Sequence, residues 1–557
     1  KALTHADHAS LAANTLITDV MLGIDAAQRQ ALFDTVRQGG FGDIIHSEPA
    51  VVAYLGPDGL PATADDKTVI YVGANDGMLH CFDDDTGEEL WSFVPPEHLG
   101  RLKRLSDADH DYFVDGSPTV HYGSGNQKTL VIGSRRGGDS YVALDVSNYN
   151  APVFLYSIGP DVLGPSPVDY ERLGQSWSRA EKALIATGST ITMDGCNVNV
   201  TVGTADALLF GGGYDNNQDL APPSAQDSVG RALFGVNTAT GGLISGLKFT
   251  PATHPSLGMT HSVVDVSGFD HDGDGIVSRV YLGDMGGSIF ALKDDQMQNF
   301  SPCPPAVVSR SIVDGSWSGI KLFNASADGV QRKIMYAPDA VAEKYPPGVH
   351  GEYIFFGTGD RENPGNRSVI NRFYAVKNDW TATSTFTESD LVDVTSNLIQ
   401  LGTAAEQQQV RTSLENAKGW FIQLENPGEK VVASPRVYGG VVYFTTYTPS
   451  EDSGIDPEDP CVASTVRGTG RLYAVHYLTG AAVHEFSAEA ETDSSGNPVS
   501  LGKKDRSLAV GTAIPSAPVI AILGGGARLF IGVEGGIVSL PVIAIQDMYR
   551  YYWNQIF

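Results

Sequence analysis

Short apolar runs of four to eight residues, broken by Gly-rich turns, recur along the whole chain. The clearest unit is VIYVGANDGMLHCFDDDTGEELWSF, Val69–Phe93, preceded by HSEPAVV from His46. It predicts a first strand of the S-x-P-x-φ kind, then a second of the φ-Y-φ-G kind. A Gly-rich turn, a third strand ending near Asp, a T-G turn and a last strand complete it. Second strands of this type begin near Val69, Thr129, Ala207, Val280, Glu352, Val441 and Arg528. They lie roughly 60–90 residues apart, whereas a bare four-stranded blade needs only about 40–50. Each unit therefore carries insertions, expected on the faces of the fold. Helical periodicity stands out at Ala26–Gln38 and at Ala404–Ala417, the second inside an insertion.

One sheet cannot bury an apolar face alone, but radially stacked sheets bury both faces and leave only short edges. The expected fold is all-β: a modified seven-bladed β-propeller with long loop insertions and an EF-hand-like calcium loop. Residues 1–41 read as a helical or linker segment, 42–545 as the propeller and 546–557 as a tail. The step Asp83–Gly87, echoed at Thr240–Gly241 and Thr479–Gly480, suits a tight turn. There Asp or Thr bonds the backbone and Gly supplies positive φ. Trp91 is expected to pack between blades.

Sixty-five acids against 37 bases give a net charge of −28. No basic stripe exists to neutralise phosphates, which argues against nucleic acid and equally against an anionic membrane surface. No apolar run approaches the ~20 residues of a membrane-spanning helix. The chain opens at Lys1 without a signal-peptide pattern, and so reads as a mature fragment or the C-terminal part of something longer. Cys81, Cys196, Cys303 and Cys461 form no C-x-x-C. One or two disulfides are open to them, with Cys81 also fitting a buried apolar position.

The strongest chemical signal is FDHDGDGIVSRVYLGD, Phe269–Asp284. Asp270, Asp272 and Asp274 alternate and Gly275 permits a sharp turn, matching positions one, three, five and six of an EF-hand loop. Ile276 falls at position seven, a carbonyl ligand, and Ser278 at nine. Three converging carboxylates repel unless a hard, oxygen-seeking cation joins them, and Ca²⁺ suits the set better than Mg²⁺. Position twelve is Tyr281 rather than Glu, so the bidentate carboxylate is missing and a strand follows instead of a helix. A second acidic segment, Gly56–Asp66, offers Asp58, Asp65 and Asp66 as a weaker cation site or a plain loop, the loop being preferred. His46, His80 and His261 lie on strand patterns and are expected to be satisfied core residues rather than ligands.

Several segments together resemble the C-terminal propeller of the PilY family of type IV pilus tip-associated adhesins and biogenesis factors. They are GDIIHSEP (Gly42–Pro49), GANDGMLHCFDDDTGEELWSFVP, YFVDGSPTV (Tyr112–Val120), DHDGDGIVSRVYLGDMGG and GEKVVASPRVYGGVVYFTTYTP. The resemblance implies a seven-bladed propeller with one Ca²⁺ loop and no catalysis. It also implies a role in pilus extension, retraction, twitching motility and surface attachment. Its implied partners are pilins or minor pilins and host or abiotic surfaces, and its implied location is extracellular, at the pilus tip or outer membrane. The family's loop usually has Asp at the ninth position, where Ser278 lacks the charge. Some members carry R-G-D; the nearest string here is RRGGD, Arg135–Asp139. The competing reading is a quinone-dependent (PQQ-type) dehydrogenase, whose propellers share T-G/W repeats. Seven units rather than eight and the lack of a Cys-Cys pair weigh against it.

Overall fold

The computed structural model describes residues 3–4, 17–38, 40–56, 58–59, 63, 65–107, 109–160, 162, 167–194, 197–294, 296–303, 306–312, 316–344, 350–450, 468–523 and 526–543. Seven sheets, antiparallel except for the short edge strand Val392–Asp393 of the fifth, form a seven-bladed β-propeller. In the first blade the strands Ala50–Tyr54, Lys67–Gly73, Leu79–Asp83 and Glu89–Phe93 pair in sequence order, and Leu3–Thr4 adds to the outer edge. The second blade runs Thr119–Tyr122, Lys128–Gly133, Tyr141–Asp145 and Val153–Ile158. The fourth runs Asp265–Phe269, Arg279–Gly283, Ser288–Lys293 and Ser318–Asn324. All seven expected φ-Y-φ-G starts fall in the second strand of a sheet, from Lys67–Gly73 to Gly526–Val533. The seventh blade has three strands among the described residues, ending at Gly536–Pro541.

Burial follows the stacking argument. One apolar cluster joins Val69, Tyr71 and Trp91 of the first blade to Leu130, Ile132 and Leu144 of the second. Others join the second blade to the third, the third to the fourth, and so on to the seventh. The tight turns hold as expected: Gly87 donates to the Asp83 carbonyl, and Asp83 Oδ1 accepts from the backbone of Asp85 and Thr86. Gly87, Gly241 and Gly480 have φ of 72°, 68° and 63°, the left-handed region that favours glycine.

Aromatic residues of fourth strands also stitch neighbouring blades. Trp91 Nε1 donates to the Tyr149 carbonyl at 2.6 Å, Tyr156 Oη to that of Thr238 at 2.8 Å, and Trp420 Nε1 to that of Tyr477 at 3.0 Å. Each acceptor lies between the third and fourth strands of the next blade.

The insertions differ in part from expectation. Helices occur at Arg29–Gln38, after a 3₁₀ turn at Ala26–Gln28, and at Ala404–Asn416. A 3₁₀ stretch, Pro96–Ser106, adds a further helical element. The third blade's first two strands extend as a long hairpin, Glu181–Asp194 with Asn197–Gly211. The second strand was expected only from Ala207. A second hairpin, Gln296–Cys303 with Ala306–Ile312, is inserted in the fourth blade. Cys81 is a buried free thiol. Cys196, Cys461 and the tail 546–557 lie outside the described residues, as does the Cys303 side chain. No helix among the described residues is long and apolar enough to cross a membrane.

Candidate metal centre

The loop 270–278 connects the first two strands of the fourth blade, and its ends are pinned by the Phe269–Arg279 pair. Ser278 N–H donates to the Phe269 carbonyl and closes the loop. Val277 N–H donates to the Leu184 carbonyl at 2.8 Å, tying the loop to the third blade's long hairpin. The Ile276 side chain is buried in a cluster with Ala186, against which Leu184 and Val202 pack. One wall of the loop is thus fixed by burial, and the carboxylates lie on the part that remains open.

Asp270 is only 2% exposed, while Asp272 and Asp274 face solvent. Asp270 Oδ1 accepts from Gly273 N–H and Oδ2 from Gly275 N–H, both at 2.8 Å. Asp274 Oδ1 accepts from Ile276 N–H at 2.8 Å. Gly273 and Gly275 have φ of 81° and 88°, which lets the chain curl around Asp270. One oxygen from each of Asp270, Asp272 and Asp274 lies within 4.8 Å of the others.

Burial raises the Asp270 and Asp274 carboxyls above the ordinary range. Backbone donors offset this in part, and the Asp272 charge adds to the rise. No basic side chain pairs with any of the three among the described residues. Hard oxygen donors, crowded and uncompensated, fit a divalent cation such as Ca²⁺.

Ile276 and Ser278 stand in the same loop but make other contacts. The Ser278 carbonyl accepts from Asp294 N–H and Arg279 Nη1, both at 2.9 Å. Sequence reasoning also missed the loop's tie to the fifth blade. His271 Nδ1 lies 2.7 Å from Glu352 Oε1, off the line of a hydrogen bond. Fully buried Glu352 also accepts from Arg279 Nε at 3.2 Å and Trp380 Nε1 at 2.9 Å. These partners are distant in the chain, and no local spacing announces them.

The other candidates are spent internally. His80 lies between Glu89 Oε1 at 2.7 Å and Asp76 Oδ2 at 3.1 Å. His46 Nδ1 meets Asp115 at 2.7 Å, and His261 Nδ1 meets Thr260 Oγ1 at 3.0 Å. In the RRGGD segment, Arg135 lies over the Trp177 ring at 4.1 Å, and Arg136 pairs with Glu362 at 2.6 Å and Asp219 at 3.0 Å.

Architecture and loop together define a seven-bladed β-propeller with a cluster of three aspartates that could hold a metal ion. A family profile described as the PilY1 beta-propeller domain matches residues 41–384. The chain belongs to that family. It is 25% identical over 561 residues to a "Type IV pilus biogenesis factor PilY1 homolog" of Xylella fastidiosa, covering 94% of this chain and 39% of the relative. It is 27% identical over 509 residues to "Type IV pilus biogenesis factor PilY1" of Pseudomonas aeruginosa, covering 80% of this chain and 40% of the relative. The chain thus spans about two fifths of the length of these relatives. The crystal structure of the P. aeruginosa PilY1 C-terminal domain matches with a TM-score of 0.54 at 20% identity. That match covers 84% of this chain and 91% of the other, and it shows the shared fold.

Proposed function

We propose that this chain is the cation-responsive propeller of a type IV pilus biogenesis factor, acting by binding rather than by catalysis. Family membership supports the pilus assignment, and the gathered carboxylates of Asp270, Asp272 and Asp274 carry the cation assignment. These three residues would hold Ca²⁺, with the Ile276 carbonyl and a weak or water-mediated Ser278 contact beside them, and water completing six to eight oxygens. The ion would neutralise the loop on an already acidic molecule and order its open side. The fold would survive without it, since the stacked blades bury far more than one loop contributes. Pilins or minor pilins and host or abiotic surfaces are the proposed partners, met outside the cell at the pilus tip. Occupancy of the loop would alter that docking and so pilus extension, retraction and surface attachment.

Isothermal titration of the chain with Ca²⁺ tests the loop. Wild type should bind, and Asp272→Ala should lose binding while keeping its far-ultraviolet circular dichroism. Equal affinity in the two proteins would refute the site. Purified chain incubated with pyrroloquinoline quinone and Ca²⁺ should show no stoichiometric quinone absorbance and no alcohol-dependent dye reduction. Either signal would restore the dehydrogenase reading.

A further inference from the structure

On the third blade a cavity of about 110 Å³ is lined by Glu171, Arg172, Arg231, Lys248 and the turn Thr250–Thr253. Its basic residues come from three segments. Arg172 precedes the blade's first strand, Arg231 precedes its third, and Lys248 lies on the fourth, Leu243–Phe249. Gly230 N–H donates to the Arg172 carbonyl at 2.8 Å, which sets Arg231 beside Arg172.

Three cations at one cavity are unexpected on a chain of net charge −28. None has a carboxylate partner among the described residues. Arg231 Nε is buried without a hydrogen-bond partner. Its terminal nitrogens face only the side-chain oxygen of Gln226, once that amide is oriented to accept. Arg172 makes one long contact, 3.4 Å to the Ser228 carbonyl. The Lys248 ammonium has neither a hydrogen bond nor an ion pair among the described residues.

The acids that would ordinarily compensate are committed to neutral donors. Asp227 accepts from Asn217, Gln218 and Ser262 N–H. Asp215 accepts from Asn217 N–H and from the backbone N–H groups of Ser228 and Val229. Burial and the neighbouring Arg172 charge push the Arg231 pKa down and outweigh the opposing pull of the Asp227 and Asp215 charges, which do not pair with it directly.

We propose that this cavity binds a tetrahedral oxoanion, a phosphate or sulfate group, either free or at the end of a larger ligand. The Arg231 fork with its orphaned Nε–H supplies directional donors, and Arg172 and Lys248 supply charge. Like-charge repulsion that destabilises the empty cavity becomes attraction once an anion enters. Glu171 on the rim opposes the ligand and sets a ceiling on affinity.

The test is titration calorimetry with inorganic phosphate and with glucose 6-phosphate, in Ca²⁺-free buffer at matched ionic strength. The metal loop and general screening then play no part. Wild type should bind at least one probe. Binding of both assigns a terminal phosphate group, and binding of inorganic phosphate alone assigns the free ion. The double variant Arg231→Gln, Lys248→Gln should weaken binding by about tenfold or more. Glu171→Gln, an exposed change that leaves packing alone, should tighten it. If the double variant does not fold, Arg231→Lys should still weaken binding, since it keeps the charge but loses the fork. Failure of both probes to bind wild type, unchanged affinity in the double variant, or no gain in Glu171→Gln would overturn the site.

Discussion

The first and fourth blades each carry an acidic, glycine-containing loop between their first and second strands. In the first blade the segment Gly56–Asp66 is rich in carboxylates, yet they serve the chain itself. Asp66 Oδ1 accepts from Gly56 N–H at 2.9 Å and its Oδ2 from Thr63 N–H at 3.0 Å. Asp65 Oδ1 accepts from Thr63 Oγ1 at 2.8 Å. Nearby acids have basic partners: Lys67 Nζ meets Asp83 at 2.5 Å and Asp85 at 3.1 Å, and His80 lies between Asp76 and Glu89. In the fourth blade the carboxylates alternate, two glycines curl the backbone around Asp270, and no base among the described residues pairs with them. Acidic content is therefore a poor guide to a metal site. What matters is spacing that brings oxygens together and a neighbourhood that leaves their charge unmatched.

The largest expected effect separates the two loops by ion response. At a Ca²⁺ concentration a hundredfold above Kd, wild type should gain ~2.7 kcal/mol against unfolding. Asp270→Ala should gain nothing, whereas Asp65→Ala with Asp66→Ala should respond like wild type. Thermal melts with and without Ca²⁺ decide it, and a lost response in the first-blade variant would break the distinction.

Next comes pH. Burial pushes the His80 imidazole down, but hydrogen bonds to Asp76 and Glu89 outweigh it and hold its pKa at about 9. The folded value exceeds the unfolded 6.5. The stabilisation is therefore fully present below pH 6.5 and is lost as pH rises through 9. Urea unfolding at pH 7 and pH 9 should show wild type losing about 2 kcal/mol relative to His80→Gln. Parallel curves would mean that the first blade does not neutralise its acids in this way.

A smaller effect concerns Gly275. A Cβ there would meet nothing within 4 Å, so the cost lies in its φ of 88° alone. Gly275→Ala should lose about 1–2 kcal/mol of stability and weaken Ca²⁺ binding several-fold. An unchanged isotherm would show that the curl around Asp270 is not needed. The smallest is Asp66→Ala, which should lose about 1 kcal/mol with the same loss in Ca²⁺ and in chelator, since it removes an acceptor and not a ligand.

Much of this was legible in the chain. The seven second strands announced themselves through apolar runs, most of them ending in or near Gly; outside the more exposed seventh blade, these inner strands are largely buried. Asp270, Asp272 and Asp274 were legible because the loop's chemistry is local. The long hairpin at Glu181–Gly211 was harder to see: ATGSTITMDGCNVNVTVGTA alternates Thr, Val and Ile with polar or small residues, without a strongly apolar face. In Pro96–Ser106 the apolar Leu99, Leu102 and Leu105 recur every third residue, a short repeat that the surrounding strand pattern obscured. Glu352, Trp380 and Leu184 meet the 270–278 loop through tertiary pairing, and only the folded ring brings them there.

The aromatic stitches between blades have a mechanical consequence. Trp91, Tyr156 and Trp420 all donate forward, from one blade's outer strand to a turn of the next. The polarity is the same each time, so a tangential load applied to one blade passes to its successor through bonds in series. Bonds loaded along their axis resist shear together with the apolar packing around them, rather than peeling one edge at a time. Across these three junctions a pull is shared between neighbouring blades instead of being absorbed in one hinge.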